Sequence, residues 1–342
     1  MFTAVCLFYQ TMYVITHFLS EGLPQLFDCF TLIFTYNLLF VKLTVASMNS
    51  GVIYDILTSM EEDCVKYSAA DSENLIPKTA DFSQSLTKAV IIIYVGATTF
   101  YTVATLATTP QVNDALPRRL LLNMDLPFNT IDSPNYELVL TVQIMSIMMT
   151  SYAYSVFSAL LLITVLHMGC QIDILCNAMT GIVSSKDKKQ FRVVTERHKE
   201  LIVFSEQIER MFTYISFAQL ISNTICLCCL GYLIIISLEK GSNVAQLIKF
   251  IVCYVVICIE IFTCCFAGEY LRVKNEMIVD AAYQMTWYNM QPSMSRQVIL
   301  ILLRSQKGLQ LTVGKFSNLS LETFTWIMKS SASYMSVFLA MS

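Results

Sequence analysis

The residues whose side chains could do chemistry are few, and their spacing does not suit catalysis. Twelve cysteines are present, with Cys226, Cys228 and Cys229 in one run and Cys264-Cys265 in another. Clustered thiolates can hold zinc, but a structural zinc site needs four ligands around one point. These cysteines lie inside apolar runs with no His or acidic residue at ligand spacing, and they read as small, soft packing residues. His17, His167 and His198 are far apart and read as packed or snorkelling imidazoles. An HExxH helix, a phosphate-binding loop, a GxSxG elbow and a dinucleotide fingerprint are all missing from the sequence. No enzymatic activity, metal or other cofactor is therefore expected. What remains is charge embedded in hydrophobic sequence: Asp28, Glu260 and Lys329. An ionisable group in hydrocarbon is unfavourable enough to mark either a function or a buried polar contact. For Glu260 a hydrogen bond inside a helix bundle is favoured over an ion or ligand contact. Asp28 lies close enough to an interface to be merely wetted.

Those charges stand out because the chain has so few. Of its 342 residues 55% are hydrophobic and 14% charged, against about 25% charged in a soluble domain. That excludes a soluble enzyme and a disordered chain, and a net charge of −3 offers no basic patch for nucleic acid. Crossing ~30 Å of hydrocarbon at ~1.5 Å per residue takes about 20 apolar residues. Seven stretches come near this: 1–19, 23–47, 87–109, 138–168, 213–238, 244–268 and 319–342. The first lacks a basic leading region and a cleavage site, so it reads as a span and not a secretory signal, with a cytosolic leader expected ahead of it. Alternating the connecting segments puts 15 Lys and Arg on one side and 3 on the other. Basic residues gather on the cytosolic side. The expected fold is an all-α polytopic membrane protein with seven transmembrane helices, its N-terminus cytosolic and its C-terminus extracellular. That is inverted relative to a G-protein-coupled receptor.

The connections agree with this topology. Segment 110–137 holds four of the seven prolines and reads as an ordered, non-helical outer lid, and no outer loop offers a cysteine for a disulfide. The basic segments read as helical. Phe191, Val194, Leu201, Ile208 and Phe212 form an apolar stripe running straight into the fifth span. A further helix is expected to start at Pro292-Ser293, carry the apolar run 298–303 and stop at Gly308. That run is too short to span and predicts a buried interface between subunits. The Asn318-Leu319-Ser320 acceptor falls on the basic side and is expected to stay unglycosylated.

Two candidate sites emerge. The outer halves of spans two to four carry Phe30, Thr31, Phe34, Gly96, Thr99, Phe100, Met148, Ser151 and Tyr152. Aromatics and Met with a few hydroxyls suit a pocket for a small apolar ligand. They equally suit ordinary bundle core, and periodicity does not decide. In the last span Lys329 lies near the middle. If the helix starts in the cytosol, only residues 330–342, ~20 Å of helix, penetrate the membrane. Ser333, Val337 and Met341 recur every four residues on one face. This is either a packing seam or a pore lining whose apolar constriction gates by dewetting.

More specific patterns occupy the C-terminal third: Gly268-Glu269-Tyr270-Leu271, Ala281-Ala282-Tyr283, Trp287-Tyr288, Arg304-Ser305-Gln306, Gly314-Lys315-Phe316, Phe324 and Ser333-Tyr334-Met335-Ser336-Val337. With Leu126-Pro127-Phe128 and Ser133-Pro134-Asn135-Tyr136 they resemble the insect odorant receptor family. The short second inner loop resembles an odour-specific tuning subunit, not the shared co-receptor, and the flavour is closest to bee, ant and wasp members. The resemblance implies an odorant-gated, non-selective cation channel in the plasma membrane of olfactory sensory neuron dendrites. It implies a heterotetramer with the odorant receptor co-receptor, a small volatile hydrophobic ligand, permeating cations and the lipid bilayer as partners, and no nucleic acid. It further implies that residues 1–168 carry spans one to four, with an odorant pocket in their outer half. Residues 169–315 would carry spans five and six with a cytosolic helical intersubunit anchor, and 316–342 the pore-lining span with its gate at Val337 and Met341. The rivals are a G-protein-coupled chemoreceptor, which needs an external N-terminus, and a transporter, which would show inverted repeats and broken spans.

Overall fold

The structure is a computed structural model that describes residues 2–18, 22–67, 71, 73–108, 120–127, 133–182, 188–239, 241, 244–285, 287–306, 308–309 and 311–341. Among these residues the elements run α1 (Phe2–His17), α2 (Leu23–Met48), α3 (Ser50–Lys66), α4 (Leu75–Thr108), α5 (Asn135–Thr180), α6 (Lys188–Glu239), α7 (Val244–Gln284), α8 (Pro292–Gln306), β1 (Thr312–Val313), β2 (Ser317–Asn318) and α9 (Leu321–Met341). The seven expected spans fall in α1, α2, α4, α5, α6, α7 and α9. Five of them, α2 and α4 to α7, are long and apolar enough to cross a membrane. α1 has 16 residues and α9 has 21. The 46 residues of α5 and 52 of α6 reach roughly 70 and 80 Å, more than twice the hydrocarbon thickness.

The extra length belongs to the basic segments. α6 runs unbroken from Lys188 through the fifth span, and its stripe Phe191, Val194, Leu201, Ile208 and Phe212 is buried as the periodicity requires. It packs with Met168, Ile172 and Met179 of α5 and Leu271, Ile278 and Ala282 of α7 in the largest buried cluster. α8 starts at Pro292, where a missing N–H costs nothing because the first-turn donors have no intrahelical partner. Gly308 beyond its end has φ +78°. The run 298–303 divides: Val298 and Ile301 are buried within the chain, whereas Ile299, Leu300 and Leu303 are exposed. A helix turns ~100° per residue, so six consecutive apolar side chains cannot share one face. α3 lies in the basic-side segment between the second and third spans. Its Val52, Ile53, Ile56 and Met60 form a short stripe that packs on the same cluster.

The opposite end of the bundle inverts the soluble pattern. Phe8, Ile15, Ile92, Val103, Met145 and Met149 point outward, while Gln143, Ser146, Thr150, Ser151, Ser155 and Ser158 are buried. Lipid is as apolar as leucine, so polar groups turn inward to find partners. Gln143 accepts from the Leu122 amide at 3.1 Å and donates to the Leu122 carbonyl at 2.9 Å, clamping an irregular segment against α5. That segment is part of the expected outer lid; Pro110, Pro117 and Phe128 lie outside the described residues.

Ion pairs join the helices at the basic end. Arg197 of α6 contacts Asp63 of α3 at 2.7 Å and Glu200 at 3.1 Å, and donates to Gln171 of α5 at 2.6 Å. Burial opposes ionisation of Asp63, but hydrogen bonds from His167 and Arg197 outweigh it and hold the carboxyl below its usual range. His198 behaves oppositely. Its Nε2 lies 3.3 Å from Ser305 Oγ of α8. Burial, helped by the Arg304 guanidinium, lowers its pKa from 6.5 to about 4. The unfolded chain therefore takes up this proton first on acidification, so the imidazole removes stability as pH falls from 6.5 to about 4. Thermal melts of the purified protein should show Tm dropping across that window, and His198→Gln should flatten that part of the profile. An unchanged profile in the variant would contradict the assignment.

Candidate ligand cavity and pore face

A cavity of about 180 Å³ opens between α2, α4, α5, α6 and α7. α2 contributes Asp28, Thr31, Leu32 and Thr35, α4 Tyr94, Ala97, Thr98 and Tyr101, and α5 Ile147, Thr150, Ser151 and Tyr154. Each set has the spacing i, i+3, i+4, i+7, one inward stripe of an α-helix. Phe250, Cys253, Val256, Ile257 and Glu260 of α7 close the far side, with Asn223 and Leu230 of α6. An apolar cavity of about 150 Å³ holds one benzene, so this space suits one small volatile.

The sequence-derived residues are placed unevenly around it. Thr31 and Ser151 line the cavity. Phe30, Phe34 and Met148 are half-buried outside its lining, and Gly96, Thr99, Phe100 and Tyr152 lie on exposed faces. The difference is one of helix phase. Choosing the largest aromatics selects, on α4 and α5, the face turned outward, whereas the wall is built from the hydroxylated face. The repeated Thr, Ser and Tyr at Thr31/Thr35, Tyr94/Thr98/Tyr101 and Thr150/Ser151/Tyr154 are the signal that finds it.

Two ion pairs bound this space. Lys42 Nζ of α2 lies 2.8 Å from Glu260 Oε1 of α7, with side chains only 1% and 5% exposed. The same ammonium sits 4.2 Å from the centroid of the Tyr154 ring. Towards the other end, Lys249 Nζ lies 3.5 Å from Asp28 Oδ2 and 5.0 Å from the Tyr101 ring centroid. Asp28 is thus a paired wall residue and not simply a wetted carboxylate. Glu260 has a hydrogen-bonded partner inside the bundle, as expected, and also faces the cavity.

α9 packs through Ile327 and Ser331, and Met335 sits against Gly231 of α6. Its other side is open. Thr325, Lys329, Ser333 and Val337 form an exposed column at four-residue spacing, with Val337 53% exposed. Ser333 and Val337 share that face; the side chain of Met341 lies outside the described residues.

The described residues thus form a mostly helical polytopic bundle with a cavity among five of its helices and an open-faced last helix. A profile described as "7tm Odorant receptor" matches residues 22–332, and the chain belongs to that multi-pass membrane family. It is 28% identical over 209 residues to Odorant receptor 10 of Aedes albopictus, covering 59% of this chain and 55% of that one. It is 25% identical over 164 residues to Odorant receptor 13a of Drosophila melanogaster, covering 45% and 39%. The chain thus spans about half or less of the curated relatives it matches. The fold matches the insect olfactory receptor OR5 from Machilis hrabei with a TM-score of 0.77 at 16% identity, over 99% of this chain and 88% of that one. The same receptor in complex with eugenol matches with a TM-score of 0.78 at 15% identity.

Proposed function

We propose that this chain is an odour-tuning subunit of a ligand-gated, non-selective cation channel. It assembles with the odorant receptor co-receptor as a heterotetramer in the dendritic plasma membrane of olfactory neurons. The N-terminus is cytosolic, as the distribution of Lys and Arg argues. The observation that carries the reading is the hydroxyl-flecked cavity between the helices and against α7, the helix that also contacts α9. In the OR5 receptor a complex with eugenol is known, and a small volatile is the ligand proposed here. Residues 169–315 carry spans five and six, and their cytosolic helical segments form the anchor, where Ile299, Leu300 and Leu303 offer an apolar face to a neighbouring subunit. The exposed face of α9 lines the pore, with Ser333, Val337 and Met341 towards its narrow part.

A ligand filling the cavity presses on α7, and α7 displaces α9 so that the last helices of the four subunits separate at the gate. The energetics are narrow. A ten-atom volatile at ~0.5 kcal/mol per atom gains roughly 5 kcal/mol in total, while moving a gate from 1:99 to 99:1 takes about 5.5 kcal/mol of differential affinity. One bound volatile should act as a partial agonist, and several occupied subunits should be needed for full opening.

Two-electrode recording in oocytes tests this, with and without an insect co-receptor, under a volatile panel and with G-protein signalling blocked. The expected result is an odour-evoked cation current that needs the co-receptor and survives the block. A response abolished by the block would return the chain to the G-protein-coupled alternative. Val337→Ser should raise the resting leak several-fold by wetting the constriction; an unchanged closed-state current would refute the gate.

A further inference from the structure

Asn223 differs from the other polar groups of the cavity wall. It is 4% exposed, lines the cavity from α6, and no acceptor among the described residues reaches its Nδ2. Hydroxyl protons elsewhere on the wall are already engaged, so they do not compete with this amide as donors to a ligand. Thr31 and Thr35 each donate to a backbone carbonyl of α2 at 2.8 Å, and Tyr154 donates to the Thr35 carbonyl at 2.7 Å. One turn back on α6, Gln219 Nε2 reaches Cys264 Sγ at 3.1 Å and the Glu260 carbonyl at 3.4 Å. α6 thus presents two buried amides one turn apart. One is engaged by α7, and the other faces the ligand space. A buried N–H without an acceptor is strongly unfavourable in an apolar setting, so whatever supplies an acceptor there gains more than an ordinary hydrogen bond.

We propose that Asn223 Nδ2 donates to the carbonyl oxygen of the bound ligand, which makes this receptor selective for small ketones and aldehydes over hydrocarbons of the same shape. This rests on the cavity being the odorant site. The nearby carboxylate does not repel the carbonyl, because Lys42 already neutralises Glu260 at 2.8 Å. The remaining wall is apolar enough to hold the ligand's carbon skeleton.

The test pairs each carbonyl probe with the isostere in which CH2 replaces the oxygen: methyl pentyl ketone with its methylidene analogue, and benzaldehyde with styrene. In oocytes expressing the full chain with the co-receptor, at least one carbonyl probe should act at about tenfold lower concentration than its isostere, the effect of one buried hydrogen bond. Asn223→Leu should erase that ratio by weakening the carbonyl probe alone. Equal potency in the wild type would mean that water or the protein satisfies the amide, and would overturn the proposal. So would a ratio that survives Asn223→Leu. Where that variant fails to reach the surface, the wild-type ratio decides. If none of the four probes evokes current, the channel reading fails for them, and thermal melts of the purified complex decide on Asn223 separately. A larger Tm shift with a carbonyl probe than with its isostere supports the amide's role, and equal shifts refute it.

Discussion

Lys42→Met is expected to lower stability by about 3–5 kcal/mol and to remove most of the receptor from the cell surface, because it leaves Glu260 as an unpaired charge in the bundle. Glu260→Gln should do the same from the other side, since it strands an ammonium that is 1% exposed. The pair is more than a bond between two side chains. It ties α2 to α7 beneath the cavity, and the Tyr154 ring lies over the ammonium at 4.2 Å, so three helices lose their relative placement together. The double variant Lys42→Met/Glu260→Leu separates charge from packing. Replacing a buried ion pair by apolar groups of similar volume is often neutral or stabilising, so surface expression and detergent Tm should largely recover. Fluorescence-detected size exclusion of the three variants measures this. A Lys42→Met receptor with wild-type Tm would show that the pair is solvated and not buried. A double variant as poor as the singles would show that Glu260 or Lys42 is needed for another contact.

The spans were legible because a hydrocarbon crossing demands a length of apolar sequence that almost nothing else does. The helical nature of the basic segments was legible for a different reason, the stripe from Phe191 to Phe212, which only a continuous helix buries. The cavity wall was not legible by seeking aromatics. Phe100 and Tyr152 are exposed, because large apolar side chains in a membrane protein are as comfortable against lipid as in the core, and the informative residues are the polar ones that lipid rejects. α3 is fainter in the sequence because its stripe of Val52, Ile53, Ile56 and Met60 is set among Asp55, Glu61, Glu62 and Asp63, which gives it the average polarity of a loop. Ion pairs between distant helices, Lys42 with Glu260 and Lys249 with Asp28, join residues more than two hundred positions apart, and nothing in local sequence announces them. The motifs that carried the family resemblance, by contrast, prove to be places where two chain segments meet. Ser305 accepts from Asn275 Nδ2 at 2.9 Å through its carbonyl and meets His198 through its hydroxyl. Phe324 stacks edge-on against Phe262 with centroids 5.7 Å apart. Gly314 adopts φ +56° at the hairpin turn, with the Phe217 ring 3.0 Å from where a Cβ would stand.

Gly268 shows most clearly why such a motif residue is fixed. A Cβ there would collide with the carbonyl oxygen and Cβ of Leu319, the residue that leads into α9. Because the obstacle includes backbone, no rotamer change relieves it, and α7 must part from the start of the last helix. Gly268→Ala should therefore destabilise by about 1–3 kcal/mol, the range for overpacking a filled site, and Gly268→Val by more. Since α7 borders the cavity and touches α9, a receptor that still reaches the surface should bind ligand with little change yet open poorly, a loss of maximal current out of proportion to any shift in half-maximal concentration. Gly96→Ala is the matched control. It lies in mid-helix on the exposed side of α4 with nothing within 4 Å of the added methyl, and alanine is the better helix former by up to about 1 kcal/mol. Its Tm should hold or rise and its odour response should stay intact. If Gly96→Ala abolishes the response while Gly268→Ala leaves it unchanged, then α4 meets the ligand on the face opposite the cavity, and the coupling through α7 and Leu319 is wrong.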